Sequence, residues 1–394
     1  MRVAGNPCVL RVVTLLLVGA FAAGAAAADA SPPTLRVGEQ RLVSLALPPP
    51  AAGLRSAQPL VIRDEGAAYV KVHFSLFDLP DGVVAEVANS DRTEVYRYGR
   101  GEQDDFTVDE TLGEDGVSRF AAMSITGDTA IVRLVGTPPN GWGAHQGIRI
   151  GQYDRGLPEQ AWQVVTTDVQ PEAVCGVSDS RAVACYGQDT LASTRARAVA
   201  RLLVGGTSLC TGWRVGEGNK MLTNNHCIGD DSRARATEAW FNYQSSTCSG
   251  QQAGAVVKVS GAQLLRTESS LDYALFTVNN ANAIAQFGHL GLDVDPIAAG
   301  QNIFIAHHPG GRLKELSITS DRDGGQCKLS GTSGDSHEYT CDTEGGSSGS
   351  PVLARRSGKV IGLHYASGGQ CRNIGKRVEL IWPRIAGYFN NVVP

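Results

Sequence analysis

The sequence predicts an all-β protein: a small β-sandwich leader, then a larger part made of antiparallel barrels or sandwiches. Short apolar runs divided by Gly, Asn and Asp turns recur along the chain, and convincing helical periods are rare. Eight of the nine cysteines fall after residue 170. The charge balance shifts at the same place, from 12 basic against 20 acidic residues in 29–170 to 21 against 19 beyond it.

Taken in order, the chain starts with Arg2 and Arg11, an apolar run from Val12 to Ala23 and the small residues Ala25 to Ala28. That pattern is expected of a signal peptide over 1–28, too short in its apolar part for a membrane anchor. The leader, 29–170, carries strand patterns at Ala68–Phe74, Val83–Ala88 and Thr129–Val135, where apolar and polar residues alternate as on half-buried strands. His73 lies in the first of these and is expected to be packed or at a solvent edge, not a ligand. Around Gly151–Pro171 the pattern weakens, and a linker is expected there. From 171 to 394 strands are expected at Val199–Val204, Thr237–Tyr243, Ala255–Val259, Ile303–Ala306 and Val360–His364. A short terminal helix is expected at Pro383–Phe389.

The bulk properties exclude several classes. A formal charge of -4 and the lack of a Lys/Arg cluster give no footprint for nucleic acid. After the signal no segment is long and apolar enough to span a membrane. With Cys8 removed in the signal, the remaining cysteines are Cys175, Cys185, Cys210, Cys227, Cys248, Cys327, Cys341 and Cys371. In an exported chain they imply disulfides, but eight cysteines allow about 105 pairings and spacing alone does not choose among them.

One stretch organises the second part: Gly345-Gly346-Ser347-Ser348-Gly349-Ser350-Pro351. Ser348 alone has Gly at minus two and plus one, so the backbone is free to turn sharply beside an exposed hydroxyl. Gly at plus two, which a strand-to-helix nucleophile elbow requires, is replaced by Ser350. A serine nucleophile needs a histidine base and a carboxylate to orient it. His226, in Leu222-Thr223-Asn224-Asn225-His226-Cys227, and Asp272, opening Asp272-Tyr273-Ala274-Leu275, are the candidates. His307 and His308 are adjacent on an expected strand and point to opposite faces, which argues against a metal site.

These three motifs, in this order and 46 and 76 residues apart, resemble those of the chymotrypsin-fold serine endopeptidases. Phe241–Cys248, Ala306-His307-His308-Pro309 and Gly362-Leu363-His364 make the chain similar to the bacterial lysyl endopeptidases from about Glu172 to the end. The resemblance implies two antiparallel β-barrels over 171–394 and acyl transfer by Ser348, His226 and Asp272. It places the oxyanion on the N–H groups of Gly346 and Ser348, with no cofactor and no metal. It also implies the bridges Cys175–Cys371, Cys185–Cys248 and Cys210–Cys227, which leaves Cys327–Cys341 across a hairpin.

Where the vertebrate branch keeps an aspartate just before the nucleophile, this chain has Ser347, so a newly cut N-terminus has no carboxylate to bind there. The leader is therefore expected to act as inhibitor or folding aid, with processing near 165–175. Asp342, six residues before Ser348, is expected to select a basic P1 residue (Lys or Arg). Asn373 stands where lysyl endopeptidases have aspartate, which weakens strict lysine specificity. Thr343 and His364, with Lys376 and Arg377 nearby, support an acidic P1 residue as the alternative. A silent binding module and an esterase are the other readings. The expected product is a secreted monomer, extracellular or periplasmic, acting on proteins or peptides.

Overall fold

The computed structural model describes residues 1, 34–50, 57–100, 103, 105–165, 173–322, 324–369 and 371–394. The expected signal segment, apart from Met1, lies outside the described residues, as does the stretch 166–172. Ser31–Pro394 forms one compact unit.

The N-terminal part contributes β1 (Thr34–Arg36), β2 (Gly38–Leu47), β3 (Leu60–Arg63), β4 (Tyr69–Asp78), β5 (Val83–Asn89) and β6 (Val95–Gly99). It continues with β7 (Phe106–Thr107), β8 (Phe120–Ala122), β9 (Ile125–Thr126), β10 (Thr129–Gly136), β11 (Gly147–Gly156) and β12 (Gln163–Val165). Two antiparallel sheets, β3-β10-β5-β6 and β2-β11-β4-β8-β7, enclose Val70, Val72, Phe74, Val87, Phe120, Val132 and Ile150. The expected sandwich is present. Of the linker expected around Gly151–Pro171, the part up to Val165 is structured, because β11 continues to Gly156 and β12 is a paired strand, and 166–171 lies outside the described residues.

The second part contains β13 (Arg181–Ala182), β14 (Val199–Val204), β15 (Ser208–Arg214), β16 (Lys220–Thr223), β17 (Thr237–Phe241), β18 (Val257–Glu268) and β19 (Tyr273–Val278). There follow β20 (Ile303–His307), β21 (Glu315–Ser317), β22 (Leu329–Ser333), β23 (Ser336–Tyr339), β24 (Pro351–Ala354), β25 (Val360–Gly369) and β26 (Arg372–Arg377). Strands β15-β14-β17-β18-β19-β16 close into a six-stranded antiparallel barrel, because β16 also pairs with β15. The other sheet runs β13-β21-β20-β24-β25-β26-β23-β22. It curls round when Ile303 N–H donates to Cys327 O at 2.9 Å and Leu329 N–H to Gln301 O at 3.0 Å. Trp213, Leu222, Tyr273, Phe304, Leu353 and Leu363 fill the seam between the two barrels. This is the chymotrypsin-like fold. The terminal helix, α1 (Val378–Ile385), starts five residues before the expected one, and a 3-10 turn carries it on to Phe389.

The N-terminal part is built onto the first barrel. Strand β1 pairs with β15 through Leu35–Leu209 and Arg36–Ser208, and β12 pairs with β1 from the other side. Leu35, Val37 and Tyr69 pack on Leu203, Leu209 and Trp240, and all six are buried. Each buried side chain of this size contributes ~1.5–3 kcal/mol. That contact covers Leu203 and the inter-barrel seam covers Val199, so Val199–Val204 is buried at every position rather than at alternate ones.

Beneath this apolar contact lies a network of buried charges. Lys71 and Glu238 form an ion pair whose side chains are 2% and 0% exposed. Ser124 donates its N–H and hydroxyl to the same carboxylate at 3.0 and 2.6 Å, and Trp240 Nε1 donates to it at 2.9 Å. Lys258 pairs with Glu94 at 2.9 Å. His73 is packed, as expected, and lies between Glu114 and Asp154 at 2.7 and 2.8 Å.

Candidate active site

His226 follows the end of β16 on a loop tied down from three sides. The Cys210–Cys227 bridge links it to β15. Asn225 Nδ2 donates to Thr267 Oγ1 at 2.7 Å, and Asn224 Nδ2 donates to the carbonyl of Asp272 at 2.8 Å. Asp272 sits just before β19 with φ of 41°, a left-handed conformation uncommon for a non-glycine residue. Its carboxylate accepts from His226 N–H at 3.0 Å and faces His226 Nδ1 at 2.8 Å. Both side chains are nearly buried, 3% and 7% exposed. With Nδ1–H bound to the carboxylate, Nε2 is left as the basic nitrogen. It is buried and has no hydrogen-bond partner among the described residues.

Ser348 lies on the loop between β23 and β24. Gly346 has φ of 97°, and a Cβ there would meet His308 O at 2.9 Å and Leu209 Cδ2 at 3.0 Å. A Cβ on Gly349 would approach Thr211 O to 2.1 Å. The two glycines that pick out Ser348 in the sequence are therefore required by the backbone and by close packing.

Thr211, at the middle of β15, joins this loop to the histidine loop. Its N–H donates to Ser348 O at 2.8 Å, its hydroxyl donates to Gly346 O at 2.8 Å, and its carbonyl accepts from Thr223 Oγ1 at 2.8 Å. No expectation was attached to this residue, one of two hydroxyls in the strand, and nothing local distinguishes it from Ser208. Asn224 and Asn225 carried a faint signal, since the family pattern has alanines in their place.

The expected pocket residues divide. His364, buried on β25, brackets the nucleophile: Gly349 N–H donates to its carbonyl and its N–H donates to Ser350 O, both at 2.9 Å. Its Nδ1 meets Tyr339 Oη at 2.7 Å. Thr343 is buried, and its Oγ1 has no partner among the described residues.

Asp342 and Asn373 both bond to the segment that precedes Ser180. The Asp342 carboxylate accepts the backbone N–H of Cys175 at 2.9 Å and of Asp179 at 2.7 Å. Burial pushes its pKa up against the pull of these donors. Asn373 donates to Ala173 O and Cys341 O and accepts from Ala173 N–H. Both residues clamp the segment 173–179. Cys341, bridged to Cys327, directly precedes Asp342 on this loop. Lys376 is paired with Asp335 at 2.7 Å and Arg377 with Glu379 at 2.7 Å.

Three of the expected bridges are closed, Cys185–Cys248, Cys210–Cys227 and Cys327–Cys341. The fourth is not: Cys175 and Cys371 are free thiols in mutual hydrogen-bond contact. Burial and the neighbouring sulfur push the Cys175 thiol up to about 12. Cys210, His226 and Cys227 cluster closely enough to suggest a metal site, but the two sulfurs are bonded to each other and offer no thiolate.

Residues 177–379 match the family described as lysyl endopeptidase, C-terminal domain, just over half of the chain. This chain belongs to that family. Its members are serine endopeptidases, and so the chain is a hydrolase of that class. Over 334 residues, 81% of each sequence, it is 30% identical to a protein called Secreted RxLR effector protein 73 from Plasmopara viticola. It is 28% identical to the glutamyl endopeptidase of Staphylococcus aureus over 172 residues, 41% of this chain and 47% of that protein. The solved structure of a Glu endopeptidase aligns along its whole length with 56% of this chain, at 21% identity and a TM-score of 0.42. Among the described residues no helix is long and apolar enough to cross a membrane.

Proposed function

We propose that this lysyl endopeptidase family member is a secreted enzyme whose nucleophile is Ser348, whose base is His226 and whose orienting carboxylate is Asp272. The observation that carries the reading is the hydrogen bond from His226 Nδ1 to the buried Asp272 carboxylate, on a loop tied to the Ser348 loop through Thr211. His226 Nε2 takes the Ser348 proton as Oγ attacks the scissile carbonyl and returns it to the leaving amine; water then releases the acyl group. The N–H groups of Gly346 and Ser348 are proposed as the oxyanion donors. Losing such a donor costs ~3–4 kcal/mol of transition-state stabilisation.

The proposed P1 residue is acidic. Asp342, the residue expected to select a basic side chain, spends its carboxylate on two backbone amides. His364 flanks Ser348 through the backbone bonds it makes to Gly349 and Ser350, and Thr343, on the loop that leads to the nucleophile, keeps an open hydroxyl. The staphylococcal relatives are named for glutamyl cleavage, which agrees.

Residues 34–165 are proposed to hold the enzyme inactive. Leu35 and Trp162 pack on Gly311, which abuts Gly346, and β1 occupies the edge of β15 that leads to Thr211. Processing is proposed near residues 165–175. Secretion agrees with the name of the Plasmopara relative. The test is labelling of the processed protein by a fluorophosphonate, with paired peptides carrying Glu or Lys at P1. Ser348 labelled and the Glu peptide cut faster is the expected result; label on another serine overturns the assignment.

A further inference from the structure

His307, at the end of β20, touches neither His226 nor Asp272, yet it is fully buried and bonded at both ring nitrogens. Nδ1 lies 2.9 Å from Ser347 Oγ, the side chain just before the proposed nucleophile. Nε2 faces Ser180 Oγ at 3.2 Å and Ser317 Oγ at 3.3 Å. All three serines are buried.

The direction of each bond follows from counting protons. Ser317 has one hydroxyl proton and gives it to the Asp342 carbonyl at 2.6 Å. Ser180 Oγ, 2.7 Å from Ser317 Oγ, must then donate to it. Both protons are spent, so Nε2 facing these two oxygens carries the ring N–H. Burial keeps the ring neutral, its pKa well below the ordinary range. Nδ1 is therefore an acceptor, and the Ser347 hydroxyl donates to it. That leaves Ser347 Oγ to accept Glu344 N–H at 3.2 Å.

The rest of Ser347 is equally fixed. Its N–H donates to Glu344 O at 2.9 Å, and its carbonyl accepts Ser350 N–H at 3.0 Å. Glu344 itself is held by Arg312 through two bonds of 2.9 and 2.7 Å. The peptide from Ser347 to Ser348 carries the N–H proposed for the oxyanion, so what orients Ser347 orients that donor.

We propose that His307 is a positioning residue: in the tautomer set by Ser180 and Ser317, it accepts the Ser347 hydroxyl and so aims the peptide that presents Ser348. Ser180 follows directly on the segment clamped by Asp342 and Asn373, so the seating of that segment fixes the tautomer. This occupies the place of the missing aspartate, with a neutral chain of hydrogen bonds instead of an ion pair. The inference rests on the Ser348 reading above.

The test uses the full chain, secreted and allowed to mature, with kcat normalised to the sites titrated by fluorophosphonate. In His307→Asn the amide oxygen falls near Nδ1 and keeps an acceptor for Ser347. In His307→Gln the amide reaches the Nε2 side and does not. A drop in kcat of about tenfold to a hundredfold, with KM changed less than about threefold, is expected for His307→Gln and Ser347→Ala. His307→Asn should recover most of it, and the double variant His307→Gln with Ser347→Ala should be no slower than either single one. Ser347→Ala removes a single oxygen and tests the same bond if the histidine variants are not secreted. Equal losses in His307→Asn and His307→Gln, or full kcat in Ser347→Ala, overturn the proposal. Activity surviving in Ser348→Ala refutes the nucleophile itself, a separable outcome that removes the proposal's footing.

Discussion

Replacing Glu238 by glutamine, in a Ser348→Ala background that prevents self-cleavage, removes the negative charge that Lys71 meets between the N-terminal sandwich and the first barrel. Burial alone would raise the Glu238 pKa, but Lys71, Lys258 and the bond from Ser124 outweigh it and bring it from 4.5 to about 2. That shift is worth ~3 kcal/mol at neutral pH. An independent figure agrees: removing one partner of a buried ion pair costs ~3–5 kcal/mol, because the other charge is stranded. Lys71 would keep the Ala122 carbonyl, at 3.0 Å, and at most a neutral amide oxygen in place of the carboxylate. The sign is that of a depressed carboxylate. Its contribution is present above about pH 4.5 and fades as pH falls toward about 2.

Urea unfolding at pH 7 should therefore show Glu238→Gln less stable by about 3 kcal/mol, with the gap to the parent closing below pH 4.5. Adding Lys71→Met should restore part of the loss. A loss under about 1 kcal/mol, or a gap that does not change with pH, would refute the reasoning.

Three further outcomes are expected. Asp272→Asn should lower kcat by about 10⁴ with little change in KM, since it removes the partner that fixes the His226 tautomer; steady-state kinetics on one peptide checks it. Asp342→Asn should destabilise by ~1–3 kcal/mol through a mismatched donor against the amides of Cys175 and Asp179, while leaving the P1 ranking unchanged in a peptide panel. His73 is drawn down by burial but lifted further by Asp154 and Glu114, to about 9 from 6.5. Its contribution is thus complete below pH 6.5 and lost by about pH 9. The melting temperature should fall across that window in the parent and stay flatter in His73→Asn.

Much of this was legible in the residues. Thr129–Val135 alternates in sequence and in burial alike, because one face of β10 meets the core and the other does not. The motifs around His226, Asp272 and Ser348 could be read because turn chemistry and nucleophile geometry demand particular residues at particular offsets. Lys71 and His73 were not legible. They occupy the polar positions of an alternating strand, which normally face water, and only the barrel laid against that face buries them beside Glu238 and Asp154. The partners of Asp342 were not legible either, because sequence distance from Ser348 says nothing about which way a carboxylate turns once a distant segment offers it two amides. The Ser180–His307–Ser347 chain joins residues 127 and 40 positions apart, and no local pattern announces it.

The most direct test of the central claim is a cleavage-site profile of the processed enzyme on a denatured proteome, with Ser348→Ala beside it. Cuts after Glu that vanish in the variant are the expected result. Cuts that survive in Ser348→Ala would contradict the nucleophile, and Ser348-dependent cuts after Lys or Arg would contradict the pocket drawn from His364 and Thr343.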